Sequence, residues 1–503
     1  MKSVPSGRPL AIVVVGASGD LATRKIFPAI FALDARGGLP PDTHCFGFAR
    51  SDLSDEAFRN RIAPGLRCEE LADSACELHQ NSFLPRCHYV QGAYDAAGDF
   101  ARLRRGIATV CGPAVDVLYY FAIPPALFGP VAHSMRAAGI LRAADDATGW
   151  DRVVLEKPFG HDRASSDALS AQLKECFREE QIYRIDHYLG KEVIQNLLVL
   201  RFANSAFEPL WNRDHVRQVH ICWSEDIPLA GRAGYFDEAG IIRDVMQNHL
   251  TQMLALVAME CPWGLDARHI RDEKVRLLRQ VVPLTRDRCL LGQYTAGTLN
   301  GKAVAGYREE PGVPAGSRTA TSACAVFEVR SPRWRGVPFL VSATKGAATR
   351  CTEIRMRLKS PENDLFRPLM ERSGDDDHPL LDNELVIHVQ PDAKIFLRIV
   401  GKRPGIGFKL DNPLLDLIYR EAYAGARIGD AYENLLLDVI RGDGSLFIRD
   451  DELEAAWDLF TPLLHELEAG DDVPLPYPFG TPGPKERLEF AGKFGIGFGI
   501  EGV

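Results

Sequence analysis

The stretch AIVVVGASGDLATRK, residues 11–25, decides the reading of the fold. An unbroken apolar, mostly β-branched run ends at Val15. The turn Gly16, Ala17, Ser18, Gly19 follows, and then a segment of helical composition. A strand that is apolar on both faces belongs in a parallel sheet covered by helices. Gly16, Gly19 and Ala22, directly after that strand, form a variant of the dinucleotide turn. Its glycines let the backbone approach a pyrophosphate, and the next helix offers free N-terminal amides to the anion. A tight strand-to-helix turn that binds nothing has the same pattern, so the inference rests on position: strand before, helix after.

Working outward, apolar runs recur at 44–49, 115–122 and 152–155, with helix-length segments between them. That alternation predicts βαβ units on a doubly wound parallel sheet. From about residue 190 the texture changes. Helices are predicted over 191–202 and 239–260, the second with apolar residues at 242, 246, 250, 253 and 257. Strand-like runs at 218–223, 320–328, 338–343, 353–358, 385–389 and 395–400 predict a large, mostly antiparallel sheet with helices. The expected fold is therefore α/β followed by α+β. Residues 1–185 are expected to form a Rossmann-type domain and 186–503 a second domain.

The 503 residues suit two large domains or three small ones, and a chain 46% hydrophobic and 25% charged is globular rather than disordered. A net charge of −9 weighs against a nucleic-acid partner. No run reaches the ~18 apolar residues of a membrane span. The apolar run at 10–15 is too short for a signal-peptide core, so a cytoplasmic protein is expected. None of the 11 cysteines forms a CxxC pair, which excludes zinc-finger and thioredoxin-like readings. Scattered, mostly buried thiols fit a reducing compartment, and no metal is expected. The glycine-rich tail, 478–503, reads as a mobile terminus or as a segment docked on its domain.

Three polar constellations stand out. The strand at 44–49 is followed by Arg50 and Ser51, where a positive residue suits a ribose 2′-phosphate; a solvated charge at a strand end reads the same way. RIDHYLGKE, residues 184–192, packs Asp186, His187, Tyr188 and Lys191 beside Gly190 at a predicted helix start. Such a cluster can receive a small phosphate, or simply cap a helix. VVLEKPFG places Lys157 beyond the carboxyl end of a parallel strand, where α/β sheets bind ligands; a surface lysine before a turn is the alternative. His249 lies on the apolar edge of a predicted helix beside Met246 and Met253, a position that more often holds a satisfied core histidine than a catalyst.

GASGDLA, FARS, VVLEKPFG, QIYRIDHYLGKE, LRFAN, WNRD, GRAGYFDEAGIIRDVMQNHL, NELVIHVQP and FTPLLH occur in this order, and the chain resembles the glucose-6-phosphate dehydrogenase family from about residue 11 to 477. The resemblance implies oxidation of glucose 6-phosphate at C1 to the 6-phospho-gluconolactone with reduction of NADP⁺, NAD⁺ being a poorer alternative. It implies a homodimer or homotetramer. By the same resemblance, His249 matches the general base and Asp186 its carboxylate partner. Lys157, His187, Tyr188, Lys191, Glu225, Asp244, Lys345, Arg350 and Gln390 match substrate contacts. Gly16, Ala17, Ser18, Gly19, Asp20, Leu21, Lys25, Arg50, Tyr94, Asp95 and Lys157 match coenzyme contacts, and Pro158 matches a proline that is cis in the family. Animal members carry a second NADP⁺ site rich in basic residues. Here those positions read Ser342, Cys351 and His388, with only Arg355 basic, so one NADP⁺ per chain is expected. A catalytically silent, sugar-phosphate-binding regulatory homologue is the alternative, against which both His249 and Asp186 are present.

Overall fold

A computed structural model describes residues 7–68, 73–143, 146–229, 231, 233–366, 382–407, 409–425 and 429–497. The chain divides into two compact units. The first comprises residues 1–191 with 262–272 and 429–454; the second comprises 192–261, 273–428 and 455–503. Neither unit is one continuous stretch of sequence.

The first unit is built on six strands, β1 (Leu10–Val15), β2 (Thr43–Ala49), β3 (Cys87–Gln91), β4 (Asp116–Phe121), β5 (Asp151–Leu155) and β6 (Ile182–Arg184). All pair in parallel, in the order β3-β2-β1-β4-β5-β6. This is the doubly wound order, whose switch point lies between β1 and β4. Every residue of β1 and β4 is buried, as two covered faces require. Part of the cover comes from the far end of the sequence. The helix Ala431–Arg441 buries Leu435, Leu436, Val439 and Ile440 in the same core as Ile12, Val14 and Tyr120. Each such side chain contributes about 1.5–3 kcal/mol by leaving water. Asp430 caps this helix by accepting from the Tyr432 amide at 2.9 Å, and Gly442, at φ 75°, ends it.

The second unit carries a nine-stranded sheet: β7 (Val216–Glu225), β8 (Cys289–Thr295), β9 (Ser322–Glu328), β10 (Pro338–Lys345), β11 (Cys351–Leu358), β12 (Glu384–Gln390), β13 (Lys394–Arg398), β14 (Leu414–Ile418) and β15 (Leu475–Pro478). The order is β14-β13-β12-β11-β7-β10-β9-β8-β15. Only β7 with β10 and β8 with β15 pair in parallel, so the sheet is mostly antiparallel, as its alternating runs predict. The glycine-rich tail docks: Gln218 and Gly497 exchange two hydrogen bonds, and Phe490 and Ile496 are buried against Cys324, Val326 and Leu340. Its last residues, 498–503, lie outside the described part.

Two expectations need correction. The segment 239–260 is not one regular α-helix. Gly240, at φ 65° and ψ 172°, breaks the helix Ala233–Ile241; Ile242–Leu250 winds as a π-helix, and Thr251–Ala258 returns to α. Side chains support the wider winding. The Asn248 amide donates to the Arg243 carbonyl at 3.0 Å and the Thr251 hydroxyl to the Met246 carbonyl at 2.7 Å, each spanning five residues. Second, not all the cysteines are thiols. Cys68 and Cys76 are joined as a disulfide, with Cα atoms 5.5 Å apart, a pairing that a search for CxxC spacing does not reveal.

Candidate active site

In the first unit the glycine turn sits at the switch point. Gly16, at φ 90°, accepts at its carbonyl from the Gly19 amide at 2.9 Å. A Cβ on Gly16 would stand 2.3 Å from the Ala122 carbonyl oxygen, just past β4. Only glycine fits this approach, and the opening it leaves is a cradle for a bulky anion at the strands' carboxyl ends. The turn is braced rather than loose: Arg61 donates to the Ser18 carbonyl at 2.6 Å, and the Ser51 hydroxyl donates to that of Ser18 at 3.0 Å. Asp20 is ion-paired with Arg24 at 2.7 Å, and the Lys25 ammonium lies 3.9 Å from Asp430.

Arg50 follows β2 on the same side. Its guanidinium lies 5.4 Å from the centre of the Tyr94 ring, an exposed cation held against an aromatic face. Burial pushes the Tyr94 phenol up, and the Arg50 charge opposes that shift. Asp95, beside it, is exposed. These residues suit a dinucleotide with a charged ribose substituent: a glycine cradle for the pyrophosphate and a free guanidinium edge beyond the second strand.

Beyond β5 the Lys157–Pro158 peptide is cis, matching the family expectation. Glu156, next to Lys157, accepts from the Tyr120 hydroxyl at 2.5 Å, and burial raises its carboxyl above the usual range. Beyond β6 the chain makes a series of tight turns before the helix Glu192–Phe202. Buried Asp186 accepts from the Tyr188 amide at 2.9 Å, Gly190 donates to the His187 carbonyl at 3.2 Å and Lys191 to that of Tyr188 at 3.1 Å. The Lys191 ammonium lies 4.9 Å from the centre of the Tyr188 ring. His187, Tyr188 and Lys191 therefore present imidazole, phenol and ammonium from one short segment, an arrangement suited to a phosphate.

That segment is held by residues that sequence reading did not single out. Gly190 abuts the Ala431 backbone so closely that a Cβ would lie 2.5 Å from its carbonyl oxygen. Asn434 donates to the Gly190 carbonyl at 3.0 Å. The Tyr432 ring stacks on His187 at 6.1 Å between centroids and 12° between planes, and its hydroxyl bonds Glu156. No local signal could have found Tyr432 or Asn434, because the contact joins positions more than 240 residues apart.

In the second unit, β7 and β10 pair so that Glu225 and Lys345 are direct neighbours. The Lys345 ammonium lies 3.0 Å from Glu225 Oε2 and 3.7 Å from Asp244 Oδ2. It also faces the Trp223 and Phe236 rings at 5.1 and 5.0 Å. The structure thus brings together Glu225, Asp244 and Lys345, a hydrogen-bonding cluster beside two aromatic walls that fits a polyhydroxylated ring. Trp223 and Phe236 were not foreseen. Asp244 and His249 share the π-helix Ile242–Leu250, and His249 is 3% exposed, with its amide donating to Asn248 Oδ1 at 2.7 Å. The helix after it is anchored at its end. The Trp211 and Trp334 indoles donate to the Val257 and Ala258 carbonyls at 2.8 Å, and Arg201 donates to those of Leu256 and Met259. These donors satisfy terminal carbonyls that would otherwise be buried unpaired. Gln390 is buried at the end of β12, opposite Thr352, whereas Arg350 is exposed in the turn before β11.

Residues 13–196 match the family model described as the NAD binding domain of glucose-6-phosphate dehydrogenase, and residues 198–498 match that of its C-terminal domain. The chain belongs to the glucose-6-phosphate dehydrogenase family. It is 48% identical to the chloroplastic glucose-6-phosphate 1-dehydrogenase 1 of Arabidopsis thaliana, over 97% of this chain and 84% of that one. It is 44% identical to the cytoplasmic glucose-6-phosphate 1-dehydrogenase 6 of the same plant, over 98% and 92%. A solved glucose-6-phosphate dehydrogenase in complex with its substrate superposes with a TM-score of 0.89 at 37% identity, covering 98% of this chain and 99% of that one. As a member of the glucose-6-phosphate dehydrogenase family, the chain has the expected Rossmann-type first unit and mostly antiparallel second sheet. No described helix is long and apolar enough to cross a membrane.

Proposed function

We propose that the protein oxidises glucose 6-phosphate at C1 to 6-phospho-glucono-1,5-lactone with NADP⁺, the first step of the oxidative pentose phosphate route. Membership of the glucose-6-phosphate dehydrogenase family, shown by matches over both halves of the chain, carries this reading. The relatives' substrate suits the side chains: His187, Tyr188 and Lys191 hold the phosphate, while Glu225 and Asp244, set by Lys345, bond sugar hydroxyls. Arg350 and Gln390 add further contacts to the sugar phosphate.

Bound NADP⁺ supplies the hydride acceptor. Gly16, Ala17, Ser18, Gly19, Asp20 and Leu21 cradle its pyrophosphate, with Lys25, Lys157, Tyr94 and Asp95 along its length, and Arg50 bonds the 2′-phosphate. The hydroxyl proton at C1 must leave as the hydride leaves. His249 takes it at a ring nitrogen, and Asp186 serves as the carboxylate that stabilises the charged imidazole.

The protein works as a homodimer or homotetramer in the cytoplasm. One of the relatives above is cytoplasmic, which supports that compartment. Initial rates at the reduced-nicotinamide absorbance band test the function. Glucose 6-phosphate with NADP⁺ gives the highest kcat/KM; free glucose with either coenzyme, and glucose 6-phosphate with NAD⁺, give lower values. Equal rates with free glucose contradict the reading.

A further inference from the structure

A second polar cluster lies on the nine-stranded sheet, formed by residues to which the proposed reaction gives no role. Cys222 on β7, Glu353 on β11 and His388 on β12 are register partners across three adjacent strands. Residues two apart on a strand share a face, so Cys351 stands beside Glu353 on that same face. The pairing of β11 with β12 slips between Thr352 and Glu353, and such an irregularity re-aims side chains. Here it brings the His388 ring to Cys351.

We propose that Cys222, Cys351 and Glu353, with His388 beside Cys351, bind a divalent zinc-type metal ion. Ligand atoms of Cys222, Cys351 and Glu353 all lie within 4.8 Å of one another. Cys351 Sγ is 3.7 Å from His388 Nε2, and Cys222 Sγ is 3.7 Å from Glu353 Oε1. With Zn–S near 2.3 Å and Zn–N or Zn–O near 2.0–2.2 Å, a tetrahedral site has sulfur-to-nitrogen and sulfur-to-oxygen edges of about 3.5 Å. Both observed edges are within a small adjustment of that figure. Two thiolates and an imidazole also select zinc over magnesium or calcium.

The surroundings complete the case. His388 Nδ1 lies 2.6 Å from the Asp392 carbonyl oxygen. The proton is therefore held at Nδ1, and the Nε2 lone pair is left for an ion, the usual outer contact of a metal-binding histidine. The Arg355 guanidinium fixes Glu353 by bonding Oε1, the oxygen that also faces Cys222, and bonds Glu384 at 3.3 Å. On binding, the two thiols release their protons to solvent. Two thiolates and one carboxylate then balance the divalent ion and the Arg355 cation, so no net charge is buried. Cys222, Cys351 and Glu353 are buried, while His388 is half-buried and leaves a path for entry.

Cobalt titration tests the site. The full protein, reduced and stripped of metal with a chelator, is titrated with Co²⁺. Near-ultraviolet thiolate-to-cobalt charge transfer and the visible bands of tetrahedral cobalt should saturate at one ion per chain and vanish on adding Zn²⁺. Cys351→Ser and His388→Ala should each weaken binding by about tenfold or more. Cys261→Ser, at an exposed cysteine away from the sheet, should change nothing. If those variants fail to fold, alkylation of the unaltered protein decides: stoichiometric Zn²⁺ should slow labelling of Cys222 and Cys351 but not of Cys176 or Cys261. Octahedral cobalt spectra without charge transfer, bands that survive Cys351→Ser, or labelling of Cys222 and Cys351 indifferent to zinc would each overturn the proposal.

Discussion

Lys345 and Glu225 face each other across two parallel strands with 3.0 Å between ammonium and carboxylate, and the same ammonium lies 3.7 Å from Asp244. One cation therefore sets two carboxylates that are both mostly shielded from water. Lys345→Ala leaves those carboxylates to repel each other. The KM for glucose 6-phosphate should rise about 10–100-fold, the loss of one charge-assisted contact, with a smaller change in the KM for NADP⁺. Steady-state kinetics with each substrate varied in turn checks this, and equal effects on both constants contradict it.

Lys191 tests the phosphate receptor separately. Its ammonium lies over the Tyr188 ring beside His187. Lys191→Ala should also raise the KM for glucose 6-phosphate about 10–100-fold. It should leave the much weaker use of free glucose unchanged, because free glucose has no phosphate to lose. A matching loss with free glucose would show that Lys191 acts on the fold rather than on the phosphate.

Arg50 is the proposed determinant of coenzyme choice. Its guanidinium is held on the Tyr94 face, and in the proposed reading it bonds the 2′-phosphate that only NADP⁺ carries. Arg50→Ala should weaken NADP⁺ by about tenfold or more and NAD⁺ little, as ratios of kcat/KM would show. Equal losses for the two coenzymes contradict the assignment.

Much of this was legible locally. The apolar runs at 11–15, 44–49, 115–122 and 152–155 mark four of the six parallel strands, because strands buried on both faces are mostly apolar. β3, CHYVQ, and β6, IYR, escape the same reading: one is mixed in polarity and the other is three residues long. The site residues are legible because they cluster in short motifs. Their supports are not. Tyr432 and Asn434 reach His187 and Gly190 only through the fold, and the cluster of Cys222, Cys351 and His388 comes from three strands with no spacing signature. The π-helix carrying Asp244 and His249 has the apolar repeat of an α-helix. Its winding depends on Gly240 and on the two side-chain bonds that span five residues.

Asp438, on the helix that supports the phosphate segment, gives the fold a pH dependence. Burial, and then the charge of Asp443, push its carboxyl up to about 7. The folded state thus holds this proton more tightly than the unfolded chain, whose carboxyl titrates near 3.9. The ionised carboxylate destabilises the fold fully above about pH 7, and stability recovers as pH falls from there toward about 4. Asp438→Asn removes the penalty. It should raise the unfolding free energy at about pH 8, by at most about 4 kcal/mol, with a gain that shrinks toward about pH 5. Urea unfolding at both pH values checks this; a variant no more stable at about pH 8 contradicts it.

The turnover of His249→Asn, with glucose 6-phosphate and NADP⁺ both saturating, tests the central claim most directly. Asparagine keeps a similar polar volume but cannot accept the C1 proton, and loss of a general base typically lowers the rate ~10²–10⁴-fold. The loss should fall on kcat and kcat/KM together, since the interaction is made in the transition state, while both ligands still bind. A variant that kept more than about a tenth of the parent kcat, far short of that loss, would leave His249 a core histidine of the π-helix and require another base.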